Sequence, residues 1–190
     1  MKKQFLLSKL FFITVILYNP SIVLAEEYKN KWLYVSARGI INTMKVTGSD
    51  AATLGMKATT MQFGAGVSAG LYHRLKYISM RYEIDYNYTM RSNSFYHAVM
   101  TNIYISPSYG NDVFTPYVMG GIGINIFDPP FAVINSNFGW NVGAGVSVPI
   151  KKNWAIDFGF RYMQTDINFN IEGTQSAKNH NFYIGFIYIF

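Results

Sequence analysis

Six charged residues are spaced so that an extended chain could gather them on one side of a sheet: Arg38, Arg81, Glu83, Asp85, Asp157 and Arg161. Side chains two apart in a strand share a face, so Arg81, Glu83 and Asp85 belong together, as do Asp157 and Arg161. Three are cations and three are anions. Buried charges are tolerated when they are paired and hydrogen-bonded, so this balanced set points to an ion-paired filling of a closed interior. The alternative is a small channel with a charge constriction, in which one sign should dominate. Other chemistry has less to build on. The chain has no Cys, so it can form no disulfide, no thiolate zinc site and no cysteine nucleophile. His73, His97 and His180 do not fall with Asp or Glu at metal-ligand spacing. Each His is expected at a rim or in a lumen. Gly64-x-Gly66 is no phosphate loop, because no helix follows it. No metal or cofactor is expected.

The elements that would carry these residues alternate with period two, over stretches of about ten residues bounded by turn signals. In 77–90, Ile78, Met80, Tyr82, Ile84 and Tyr86 alternate with Ser79, Arg81, Glu83, Asp85 and Asn87. In 154–163, Trp154, Ile156, Phe158 and Phe160 alternate with Ala155, Asp157, Gly159 and Arg161. Segments around 61–71 and 138–148 set bulky apolar residues against Gly and small polar ones. Segments one (about 31–42) and five (about 114–127) follow the pattern less cleanly. In segment four (about 95–106), Thr101 and Asn102 are adjacent, so either face could point inward. Segment eight (about 180–190) is apolar on both faces. That makes eight strands.

Length and composition agree. The 190 residues allow one domain, with 50% hydrophobic, 17% aromatic and only 14% charged residues. Charge this sparse suits a water-facing surface poorly. Residues 1–25 have the form of a secretory signal: Lys2, Lys3 and Lys9, then the apolar run Leu10 to Tyr18, then Val23-Leu24-Ala25. Their removal takes three of the 16 Lys and Arg and leaves 13 against 10 Asp and Glu, so the formal charge falls from +6 to +3. That residue of charge is scattered, and no nucleic-acid partner is expected. Residues 26–190 would form the mature barrel.

A soluble sandwich turns its apolar faces to a core, and a membrane barrel turns them to lipid. Several features favour the barrel over a secreted β-sandwich. The chain is exported. Its apolar faces are aromatic, as in interface girdles. The opposite faces are rich in Gly, as a narrow lumen requires. The connectors 43–58, 128–136 and 168–179 are longer than 72–76, 107–113 and 151–153, as when one rim faces outward; 90–94 is short and breaks the trend. An eight-stranded barrel also closes every backbone hydrogen bond in lipid.

Three stretches resemble a known family. Thr115-Pro116-Tyr117-Val118-Met119-Gly120-Gly121-Ile122-Gly123 resembles the fifth strand of small outer-membrane barrels. Gly139-Trp140-Asn141-Val142-Gly143-Ala144-Gly145-Val146 and Trp154-Ala155-Ile156-Asp157-Phe158-Gly159-Phe160-Arg161-Tyr162 resemble the sixth and seventh. The ending Tyr183-Ile184-Gly185-Phe186-Ile187-Tyr188-Ile189-Phe190 is similar to the terminal-strand signal of that group. Together they resemble the opacity/porin-like, OmpA-type and OmpX-like family, which includes surface antigens of host-associated bacteria.

The resemblance implies an all-β, eight-stranded antiparallel transmembrane up-and-down barrel in the outer membrane, with loops on the extracellular side. It implies contact with outer-membrane lipid and lipopolysaccharide. It also implies an assembly signal at Tyr183, Gly185, Tyr188 and Phe190, read by the assembly machinery. With the sequence ending at Phe190, no peptidoglycan-binding domain is expected to follow. The implied function is a non-enzymatic surface protein whose loops serve attachment or contact a host ligand. Thr43–Ala58, with Met44, Val46, Leu54 and Met56, and Asn168–Asn179 are the loops expected to do so. A small porin for passive diffusion is the alternative. A lipid-modifying enzyme is a third class. A lipid A deacylase of this kind would need His and Ser two apart on one face, and no His-x-Ser pair exists here. Palmitoyl transfer would need a rim cluster, for which only His180, Asp166 and Ser176 are available.

Overall fold

Alternation of bulky apolar with small or polar side chains makes eight strands. They are β1 (Lys31–Thr47), β2 (Thr60–Arg74), β3 (Ile78–Arg91) and β4 (Ser94–Pro107), then β5 (Thr115–Asp128), β6 (Asn135–Lys151), β7 (Trp154–Asn168) and β8 (Thr174–Ile189). The computed structural model describes residues 31–47, 60–91, 94–108, 113–128, 135–168 and 174–190. The strands follow one another in chain order around a closed barrel, with β8 returning antiparallel to β1. Closure leaves no unpaired edge, so the backbone can sit in hydrocarbon. No helix among the described residues is long and apolar enough to cross a membrane.

The side chains are sorted inside-out. Phe63 and Phe138 on the outer face are 63% and 64% exposed, while Asp85 and Arg161 inside are 1% and 2% exposed. A soluble protein does the reverse. A continuous apolar exterior needs lipid to cover it. Aromatic residues crowd both margins of that exterior. Trp154, Tyr188 and Phe190 make tilted and edge-on ring contacts in sequence near one end. Trp140, Tyr162 and His180 do so toward the other.

The two ends differ. The turn end carries the connectors after β2, β4 and β6. Leu75 N–H donates to Ile78 O at 2.8 Å to close the first of them. Asn153 Nδ2 donates to Ile189 O at 2.7 Å and ties the last to β8. The loop end carries the connectors after β1, β3, β5 and β7.

β1 and β8 outrun the pattern furthest. β1 runs to Thr47 and β8 begins at Thr174, where loops were expected. Their pairing continues through Lys45↔Lys178 and Thr47↔Ser176. Backbone ladders do not require alternation, so strands can outrun the apolar band that reveals them. Met44 and Val46 therefore lie on β1. The rest of the first expected loop, with Leu54 and Met56, and the expected signal at 1–25 fall outside the described residues.

Segment four is settled by its register. Asn102 points inward, buried, and Thr101 is exposed on the outer face. The inner face of β4 is Tyr96, Ala98, Met100, Asn102, Tyr104 and Ser106, and its outer face is largely β-branched.

Candidate functional site

The barrel interior brings all six charged residues into contact with one another or with shared tyrosines, each at most 7% exposed. β3 supplies the centre. Arg38 of β1 donates from Nη2 to Glu83 Oε1 at 2.7 Å and from Nη1 to Asp85 Oδ2 at 3.4 Å. Arg161 of β7 donates from Nη1 to the same Asp85 oxygen at 2.8 Å. Asp85 also accepts from Asn102 Nδ2 and Asn87 Nδ2, each at 2.9 Å. Glu83 accepts from Tyr34 OH at 2.9 Å and Tyr104 OH at 2.7 Å. These two carboxylates thus face two guanidinium groups, two phenols and two amides.

The remaining ion pair of this set lies one step nearer the turn end. Arg81 Nη2 donates to Asp157 Oδ2 at 3.3 Å. Its guanidinium carbon sits 4.3 Å from the Tyr104 ring centroid and 4.8 Å from that of Tyr117. Tyr104 therefore joins the two groups, with its ring against Arg81 and its hydroxyl on Glu83. Such cation–π contacts are made more often by Arg than by Lys.

Beyond this layer, toward the loop end, Asn42 Nδ2 donates to Gln62 Oε1 at 3.0 Å and lies 3.3 Å from Asn179 Oδ1. Tyr96, Ala98, Met100, Met163 and Ala177 then pack as a buried apolar cluster. Tyr96 OH donates to Asn125 Oδ1 at 2.8 Å. The interior is filled in layers, as expected of eight strands. Chemically, the arrangement is a neutral, cross-linked filling, whereas an ion-selective path would show one dominant sign.

The tyrosines were the missing part of the sequence reading, which placed aromatics on the outer girdles. Tyr34, Tyr104, Tyr117 and Tyr183 instead point inward, buried. Their sequence signal was parity: each shares its strand face with a charged, amide or glycine residue. Of the two places expected for the histidines, a rim or the lumen, the lumen holds none of them. His97 and His180 face outward. His97 Nδ1 shares a 2.7 Å hydrogen bond with Tyr86 OH, and the His180 ring packs on Phe160 and Tyr162. His73 lies on the outer face near the turn end of β2. Asp166 and Ser176 are opposite each other in the β7–β8 register, whereas His180 is opposite Tyr162. Among the described residues no group of three His, Asp or Glu could hold a metal.

Of the residues expected to form a terminal signal, Tyr183 and Gly185 face inward, while Tyr188 and Phe190 lie on the outer face. Gly185 is opposite Arg38 in the β1–β8 register.

A closed barrel with a lipid-facing exterior, two aromatic margins and a filled polar interior is a small outer-membrane β-barrel. Residues 19–190 match the family described as outer membrane protein beta-barrel domain, and the chain belongs to that family. The fold is also that of Neisserial surface protein A, with a TM-score of 0.60 at 17% identity, over 83% of this chain and 97% of that one. The attachment invasion locus protein Ail of Yersinia pestis aligns with a TM-score of 0.53 at 13% identity, over 85% of this chain and 99% of that one. Comparison with curated proteins finds no match.

Proposed function

We propose that this outer-membrane barrel is a non-enzymatic surface protein with a sealed lumen, whose loop end faces outward and attaches the cell to an external partner. The observation that carries it is the charge-balanced filling described above. If nothing passes through the barrel, its work falls to the ends. The β1–β8 ladder reaches Thr47↔Ser176 and holds the first and last connectors on a rigid base. Binding surfaces commonly sit on loops positioned in this way. The attachment invasion locus protein, whose fold is similar, is named for such a role. Lipid and lipopolysaccharide would contact the aromatic margins. Residues 1–25 would direct export and be removed. Tyr183, Gly185, Tyr188 and Phe190 would be read during assembly.

The test is cell attachment. Bacteria expressing the protein should adhere to host cells or matrix. Replacing residues 48–59 and 169–173 with short Gly-Ser turns should abolish adhesion and leave the heat-dependent gel shift of a folded barrel intact. Equal adhesion by the loop-replaced protein would contradict the proposal. Lipid A from expressing cells should keep an unchanged mass, and a lost or added acyl chain would contradict the non-enzymatic reading.

A further inference from the structure

Toward the loop end, the register sets two lysines side by side on the outer face. Lys45 of β1, exposed, is opposite Lys178 of β8, half-buried. Lys178 is opposite Gln164 of β7, and Gln164 is opposite Trp140 of β6. Like charges directly opposite in a sheet destabilise it. Among the described residues every ion pair is made by an arginine inside the barrel, and neither lysine takes part. β1, β6 and β8 hold no Asp or Glu. β7 holds Asp157 inside and Asp166, which is opposite Ser176 one same-face step beyond the lysines. Counted against the pair, Asp166 still leaves one cation in excess. The next outer row toward the barrel middle carries Tyr162 and His180, and the row after it Phe160, Phe182 and Ile41. The rings touch in series from Trp140 to Tyr162, His180, Phe160 and Phe182, with centroids 5.0–6.0 Å apart.

We propose that the Lys45–Lys178 pair binds the phosphate of a phosphorylated glycolipid, the lipopolysaccharide of the outer leaflet, with an acyl chain lying along the rings beneath. The inference rests on the reading that the loop end faces outward, and it gives that lipid a defined site. The two ammonium groups fix the head. Lys binds phosphate as a compact point charge. An anion between the two replaces their repulsion by attraction, and does so more strongly beside a low-dielectric band than in bulk water. Gln164 adds to the row: Tyr162 OH donates to its Oε1 at 3.1 Å, and its amide nitrogen is a donor only. The rings fix the chain. Phe182 follows Lys178 by two same-face steps, about 13 Å along the strand, and is 58% exposed. A free phosphate would use the lysines alone. A lipid with phosphate on its head uses the lysines and the apolar rows beneath them together.

Lipid A carrying its phosphates is the probe. It is added to the protein purified from membranes in an uncharged detergent, and bound lipids are counted by native mass spectrometry. The same lipid A with its phosphates removed is the comparison. The expected result is saturable binding, about tenfold tighter with the phosphates than without. Lys45→Gln and Lys178→Gln should each weaken it by about threefold or more, and by less at high salt. Lys152→Gln, in the turn after β6, should leave it unchanged. Inorganic phosphate at about a hundredfold excess should displace little of the lipid. The heat-dependent gel shift reports folding of each variant. Equal binding of the phosphate-free lipid, full displacement by inorganic phosphate, or unweakened binding to both lysine variants would each overturn the proposal. Binding in detergent does not depend on how the barrel faces in the cell. The chain has no Cys, so Ala51→Cys in the connector after β1 supplies a single thiol for a membrane-impermeant reagent on intact bacteria. Labelling there supports the outer leaflet as the source of the lipid. Protection would overturn the outward reading, and the detergent titration would still judge the phosphate site by itself.

Discussion

The hydroxyls of Tyr117 and Tyr183 meet at 2.8 Å although their strands, β5 and β8, are separated by two others. The register explains how. Tyr117 is opposite Gly145, Gly145 is opposite Gly159, and Gly159 is opposite Tyr183. The two rings lean inward over two residues that lack side chains. A Cβ on Gly145 would strike the Tyr117 ring and hydroxyl, and one on Gly159 would strike those of Tyr183. Gly145 and Gly159 therefore make room for two particular aromatic rings.

Gly145→Ala and Gly159→Ala should each destabilise the barrel by about 1–3 kcal/mol, the usual cost of overpacking. Gly39→Ala is the control, because nothing lies within 4 Å of the Cβ it would gain. Urea midpoints read from gel migration should fall for the first two variants and stay within error for the third.

Asp85 holds two arginines, so its loss should be felt twice. Asp85→Asn leaves Arg38 with Glu83 alone and Arg161 without a carboxylate. Breaking a buried pair costs about 3–5 kcal/mol. Combining it with Arg161→Met should be much less harmful than the sum of the single changes, since the unpaired cation is then gone. Additive losses in urea unfolding would show that the two side chains act independently.

The fold was legible because one physical signal, alternation, recurs along the whole chain. Residues 77–90 displayed both faces, and the charged side turned out to be the inner one. The extra residues of β1 and β8 were not legible, because Lys45, Lys178 and Ser176 keep the ladder where no apolar face is needed. The six charges could be assigned to the interior by parity, but parity does not choose partners. That Arg38 and Arg161 share Asp85, while Arg81 pairs with Asp157, follows from where each strand sits around the ring. The tyrosines were hidden for a different reason. A Tyr satisfies either environment, with its ring against lipid or its hydroxyl on a buried carboxylate, and composition does not separate the two.

Tyr34 and Tyr104 both donate to Glu83, so the phenols should contribute to stability through their hydroxyls. Tyr34→Phe and Tyr104→Phe should each cost about 1.5–3 kcal/mol, the range for hydrogen bonds to a charged group. Tyr82→Phe on the outer face should cost little, since its hydroxyl reaches only the Met80 sulfur at 3.6 Å. Equal unfolding midpoints for all three would contradict the interior assignment.

Trp140 and Trp154 lie half-exposed on the outer face at opposite margins. In vesicles of brominated lipid, both should be quenched most by bromines placed close to the head groups and less by bromines near the chain ends. Proteins keeping one of these tryptophans at a time would separate the two signals. Strongest quenching from the bilayer centre would place the apolar band elsewhere on the strands.

The central claim is that a neutral, hydrogen-bonded filling seals the lumen. Single-channel recording of the purified protein in a planar bilayer tests it most directly. A folded barrel that inserts and stays silent is the predicted result, with conductance emerging only when Asp85 or Arg161 is replaced. Discrete, reproducible steps from the unaltered protein would contradict it and make diffusion through the barrel its function.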